Sequence, residues 1–137
     1  MTWSTSEIQY EGFPLLLRRP DYPNVWKFKP TFNQLVTVEH ILESVTESGL
    51  PERSYNKALA EFDHYMCALL EDTNNGIIFL IETYGGKRNY YYYTSPVTAM
   101  DRLTKQAEAD FKVTLKVRSM VDNDWNFIKS YPVRLYS

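Results

Sequence analysis

The chain has 137 residues, 44% hydrophobic and 23% charged, which suits one ordinary globular core and leaves too little length for two comfortable domains. A formal net charge of −2 argues against a protein whose main work is neutralising nucleic-acid phosphates or anionic lipid, and the single cysteine, Cys67, rules out an internal disulfide and fits a reducing compartment. The segment Met1-Thr2-Trp3-Ser4-Thr5-Ser6-Glu7 lacks the basic and apolar regions of a leader, and no stretch nears the roughly 20 apolar residues that span a bilayer.

The expectation is therefore a cytoplasmic protein, neither exported nor membrane-spanning. The unusual feature is an aromatic content of 15%, with 11 tyrosines. Tyrosine couples apolar area to a hydroxyl, so it serves half-buried sheets and recognition surfaces equally.

Residues 7–10 and 13–19 read as two short strands around Glu11-Gly12, with Pro14 and Pro20 breaking any helical reading, and so as an N-terminal hairpin. Pro20-Asp21-Tyr22-Pro23-Asn24 is turn chemistry, and Pro30 marks a further break after Trp26-Lys27-Phe28. Residues 32–42 satisfy two patterns. Leu35, Val38, Ile41, Leu42 and Val45 form a helical stripe, whereas Val36-Thr37-Val38 is β-branched and favours a strand, so periodicity leaves both open.

Ser48-Gly49-Leu50-Pro51 is a stop followed by a helix start. One helix is expected over residues 52–72, with Tyr55, Leu59, Phe62, Met66 and Leu69 facing the core and Glu61, Asp63 and His64 turned the other way. Ile77-Ile78-Phe79-Leu80-Ile81, bounded by Gly76 and Gly85-Gly86, reads as a central strand buried on both faces. Gly85-Gly86 suits a tight hairpin turn, with residues 88–94 returning as the partner strand.

Ser95-Pro96 predicts a helix start, with Val97, Met100, Leu103 and Ala107 on one face of a helix ending near Ala109.

 The alternation in Phe111-Lys112-Val113-Thr114-Leu115-Lys116-Val117-Arg118 then places four apolar residues on one face and four polar ones on the other, a half-buried strand. With residues 32–42 as a strand, the order becomes β-α-β-β-α-β. The predicted fold class is α+β: a ferredoxin-like β-α-β-β-α-β antiparallel sheet with helices on one face, plus the N-terminal β-hairpin. Its parts would be the hairpin at residues 7–19, a core at residues 32–119 and a C-terminal extension at residues 120–137, all in one domain.

Several strings taken in order carry a family resemblance. They are Ser48-Gly49-Leu50-Pro51, Glu61-Phe62-Asp63, Thr83-Tyr84-Gly85-Gly86-Lys87-Arg88, Tyr91-Tyr92-Tyr93 and Asp122-Asn123-Asp124-Trp125. Over residues 32–131 the chain resembles the bacterial family called domain of unknown function 695, departing from its pattern at Tyr84, Gly85 and Lys87 in the hairpin. The resemblance implies an extended conformation for residues 32–42, a small cytoplasmic bacterial protein, and no established activity. More remotely, the order of elements and the Asp122-Asn123-Asp124-Trp125 ending resemble the inhibitors that bind bacterial ribonuclease E, a likeness of fold that does not carry function with it.

Catalytic chemistry finds little footing. Asp122 and Asp124 are the low-ranking candidates for a metal or acid pair, but no further ligands follow at EF-hand spacing, so an Asx-type turn is the expectation, with Trp125 as a lid on the core. His40 and His64 are the only histidines and show no zinc spacing with Cys67, and a Cys67 nucleophile would need a lowered thiol pKa and a positioned base. No Gly-x-Ser-x-Gly elbow, P-loop or dinucleotide fingerprint occurs. No catalytic residue, cofactor or metal is assigned, and an enzyme centred on Asp122, Asp124, Glu82 and Arg88 stands third among the readings.

The expected interaction surface lies on the tyrosine strand. Alternation sends Tyr91 and Tyr93 to one sheet face and Tyr90 and Tyr92 to the other, so one pair faces away from the helices. Arg88, Tyr91, Tyr93, Lys116, Arg118 and Trp125 are the residues proposed to form it. The first reading is a non-enzymatic protein-binding or regulatory domain that uses this face or a strand edge to contact an unknown protein partner, a homodimer being one form; the second is stacking of single-stranded RNA, against which the net acidity and the missing RNP pattern count. Cover by the N-terminal hairpin or a second subunit is the plainer expectation for this face.

Overall fold

The computed structural model describes residues 1–96 and 99–137, and its class is α+β, with a six-stranded antiparallel sheet and four helices. The expected N-terminal hairpin forms from β1 (Trp3–Tyr10) and β2 (Phe13–Pro20). Glu11 and Gly12 between them both take positive φ, 50° and 85°, the double left-handed turn whose twist matches that of paired strands. A single 3-10 turn, Val25–Phe28, follows the proline-rich link.

The segment that periodicity left open is a strand, β3 (Gln34–Ile41). Val36 and Val38 pack with the helices while Leu35 packs on the opposite face, and of the apparent helical stripe Ile41 and Val45 are exposed, so the spacing marked no single buried helical face. The single helix expected over residues 52–72 is instead α1 (Arg53–Ala58) and α2 (Ala60–Cys67), divided at buried Leu59, whose φ of −81° and ψ of −3° depart from helical geometry. Pro51 lies before the first helix, in a bridge with Val45, and Leu70 takes the fully buried place expected of Leu69.

Next come β4 (Gly76–Tyr84) and β5 (Lys87–Thr94), joined through Gly85 and Gly86 at φ 59° and 82°. The following helix, α3 (Met100–Phe111), begins after the expected Ser95-Pro96 start, and the expected core role of Val97 lies outside the described residues. Phe111 closes this helix rather than opening a strand. Lys112 at φ 55° is its left-handed cap, and the Phe111 ring stays with Phe62 and Tyr65 on α2 at centroid distances of 5.5 and 5.3 Å. The last elements are β6 (Leu115–Val121) and α4 (Asn126–Ser130).

The sheet runs β1-β2-β4-β5-β3-β6, with every neighbour antiparallel, so β4 lies in the interior as its apolar run requires. A register shift between Ile78 and Leu80 puts a bulge at Phe79. Phe79 and Leu80 consequently join the same core although they are adjacent in sequence.

Two cores sandwich the sheet. On one face Val38, Ile81, Tyr90 and Tyr92 meet Phe62 and Met66 of α2 and Ala107 of α3. On the other, Leu17, Phe79, Tyr91 and Tyr93 lie beneath Val25, Trp125, Ile128 and Leu135. Helices therefore occupy both faces, three on one and α4 on the other, which corrects the one-sided arrangement expected.

Candidate functional site

The structure closes the surface expected from the tyrosine strand. Tyr91 and Tyr93 do face away from α2 and α3, but they are 8% and 0% exposed, and the cover is the chain's own C-terminal extension with the 3-10 turn. Tyr93 stacks on Trp125 at 4.1 Å and 3°, and the Trp125 indole donates to the Phe32 carbonyl at 2.7 Å. Trp125 is thus the lid on the core. Base stacking on this face has no room. Arg88 is buried on the opposite face, and only Lys116 and Arg118 of the expected set are exposed.

Asp122 is not half of a metal pair but a structural acceptor, 7% exposed. Its carboxylate accepts from the Tyr93 hydroxyl at 2.9 Å and from the backbone N–H groups of Asn126 and Phe127 at 2.8 and 3.1 Å, so it fastens the start of α4 to the tyrosine strand. Asp124 points to solvent. Among the described residues, no group of three or more His, Cys, Asp or Glu is placed to hold a metal ion.

The set Asp122, Asp124, Glu82 and Arg88 does not converge either. Glu82 sits on the Tyr91 face, accepting from Asn89 Nδ2 at 3.0 Å, from the Tyr91 hydroxyl at 3.1 Å and from the Tyr131 hydroxyl. Arg88 faces the helices.

The residue that sequence reasoning placed wrongly is Asp63. Expected on the outer side of the helix, it is the hub of the densest polar cluster. Arg18 donates to it from both terminal nitrogens at 2.8 and 2.6 Å, the Tyr90 hydroxyl donates at 2.8 Å, and Arg88 lies 3.6 Å away. Its side chain is 15% exposed.

Burial alone would raise this carboxyl. The Arg18 hydrogen bonds and charge, the Tyr90 hydroxyl and the Arg88 charge outweigh it and hold Asp63 below the ordinary carboxylate value. Arg88, with 4% of its side chain exposed, also donates to Thr83 Oγ1 at 3.0 Å and to Asn56 Oδ1 at 3.1 Å. No spacing motif could have announced this cluster, because β2, α2 and β5 each contribute to it.

Cys67, one turn along α2, has its sulfur 4.0 Å from Asp63, and burial followed by that carboxylate's charge pushes its thiol up to about 11. A thiol so placed is the opposite of an activated nucleophile. His40 is buried against Phe62 at 5.2 Å, with its ring pKa lowered by burial and by Arg88, while His64 is exposed.

Beside the Asp63 cluster a groove opens because β2 pairs with β4 only over residues 16–18. Beyond that point the strands diverge. Phenol hydroxyls partly replace the missing ladder, with Tyr22 donating to the Ile78 carbonyl at 3.0 Å and the single Tyr136 O–H shared between the Phe79 and Pro20 carbonyls, each 2.9 Å away. The resulting cavity holds about 650 Å³ and is lined by Trp3, Arg18, Phe28, Phe32, Asp63 and Cys67 among others.

A second accessible feature is the β6 edge. This strand pairs with β3 on one side and ends the sheet on the other. Lys116, Arg118, Ser119, Met120 and Val121 are exposed, the last two at 60% and 57%.

The strings that carried the sequence resemblance meet in space. Gly86 N–H donates to the Gly49 carbonyl at 2.9 Å, and a Cβ on Gly49 would lie 3.0 Å from Gly85 Cα, so the two loops pack backbone on backbone. Asp63 meets Arg88 as described, and Tyr93 meets Asp122 and Trp125. Each string thus has a packing role. No curated protein and no solved structure matches the chain. The model of the family of unknown function DUF695 matches residues 23–131, and the chain belongs to that family.

Proposed function

We propose that this is a non-enzymatic protein-binding domain of the cytoplasm whose contact is the β6 edge of the sheet, where an extended acidic segment of a partner adds as a further strand. The observation that carries the reading is the pairing of β6 with β3 alone, on a strand whose outward residues are Lys116, Arg118 and Met120. An edge offers backbone donors and acceptors, and its side chains select the partner. Self-pairing is a poorer fit, because antiparallel registers centred on Val117 or Arg118 would set basic side chains against each other.

The non-enzymatic part rests on occupancy: Asp63, Glu82 and Asp122 each already accept several structural hydrogen bonds, and the Cys67 thiol is raised. The unit from β3 to β6 is read as a ferredoxin-like β-α-β-β-α-β fold with the hairpin added at one side. Support comes from the order β4-β5-β3-β6 and from helices lying between β3 and β4 and between β5 and β6.

The test is amide hydrogen exchange of the full chain with an identified partner, alongside the variant Lys116→Glu/Arg118→Glu. The reading expects added protection across residues 115–121 and loss of the partner by the folded variant. Protection elsewhere, with binding unchanged in the variant, would overturn it.

A further inference from the structure

We propose that the groove between the N-terminal hairpin and α2 is a binding site for a small organic anion, an apolar body carrying one carboxylate that meets Arg18. This is independent of the β6 edge. The volume of about 650 Å³ falls within the range of roughly 300–1,000 Å³ typical of small-molecule sites. Trp3, Phe28 and Phe32 supply apolar wall, and Arg18 and Asp63 supply the polar group.

Charge complementarity selects the ligand. Among the described residues Asp63 is the one carboxylate paired with either Arg18 or Arg88, so two guanidiniums share a single negative charge. All three are largely removed from water, with side-chain exposures of 25%, 15% and 4% for Arg18, Asp63 and Arg88.

An uncompensated buried charge is costly, and although both terminal nitrogens of Arg18 already donate to Asp63, each carries a second N–H that can donate to an incoming carboxylate. Arg88 is held behind the cluster by Thr83 and Asn56, whereas Arg18 lines the cavity. An incoming anion therefore reaches Arg18. Glu71 also lines the groove but is exposed to solvent, where its charge is screened, so selection falls to the buried end.

The experiment titrates the full chain with 1-naphthoate and with its neutral counterpart, 1-naphthamide, followed by amide and indole NMR shifts. The proposal expects saturable shifts centred on Trp3, Arg18 and Ile77, with the carboxylate binding at least about tenfold tighter than the amide. Arg18→Met should abolish that preference, and Arg18→Lys should restore part of it. Because Arg18 also supports the fold, a second variant, Ala60→Trp, narrows the groove from exposed α2 while keeping every member of the ion cluster and should weaken both ligands. Equal binding of acid and amide, shifts away from the groove, or no binding of the acid at millimolar concentration would each overturn the proposal.

Discussion

Replacing Asp63 with asparagine tests how the ion cluster is balanced. The change keeps the shape of the side chain but leaves Arg18 and Arg88 with no carboxylate between them, in a place where Asp63 is 15% and Arg88 4% exposed. Removing one member of a buried pair costs about 3–5 kcal/mol, and because Arg18 remains a quarter exposed and can regain water, the lower end, about 3 kcal/mol, is expected. With a urea dependence of about 2 kcal/mol per molar, the unfolding midpoint should fall by about 1.5 M.

Arg18→Met should cost less, about 1–2 kcal/mol, since it leaves Arg88 and Asp63 balanced one to one. Acid supplies the second readout. A carboxyl held below its ordinary value of 3.8 contributes stability that is present above that pH and is lost as pH falls through the folded pKa. The parent should therefore lose stability below about pH 4 more steeply than Asp63→Asn. Equal midpoints for parent and Asp63→Asn, or a larger loss from Arg18→Met than from Asp63→Asn, would refute this account of the cluster.

Trp125→Ala should destabilise by about 3–5 kcal/mol in thermal unfolding, because the ring is wholly buried and stacked on Tyr93. Trp125→Phe should cost about 1–3 kcal/mol by leaving the Phe32 carbonyl without its donor, and an unchanged midpoint in either would remove Trp125 as the lid. Gly49→Ala and Gly12→Ala share positive φ values of 88° and 85°, but only Gly49 lies against backbone; it should be worse by about 1–3 kcal/mol, and equal midpoints would deny the loop contact its role. Cys67, with its thiol near 11, should react with iodoacetamide at pH 8 at least about a hundredfold more slowly than in urea-unfolded chain, and equal rates would show the thiol to be open.

Sequence alone determined the elements whose signals are local. The Glu11-Gly12 and Gly85-Gly86 turns were legible because positive φ is a property of few residue types, and the apolar run at residues 77–81 because a strand buried on both faces needs no polar side. The opposite directions of Tyr91 and Tyr92 followed from the pleat. What covers each face did not follow, because alternation names a side and not its neighbour.

Only the tertiary structure decided that Trp125, Ile128 and Leu135 close over Tyr91 and Tyr93, and that Asp63 on α2 turns inward to arginines from β2 and β5. The break at Leu59 and the end of α3 at Lys112 belong to the same class, since Phe111 was claimed by Phe62 and Tyr65 across helices rather than by the alternation it continues in sequence. A charged residue on a helix reads as solvated until a partner of opposite charge is brought to it from another part of the chain. That is why the cluster and the groove beside it were invisible before the strands were assembled.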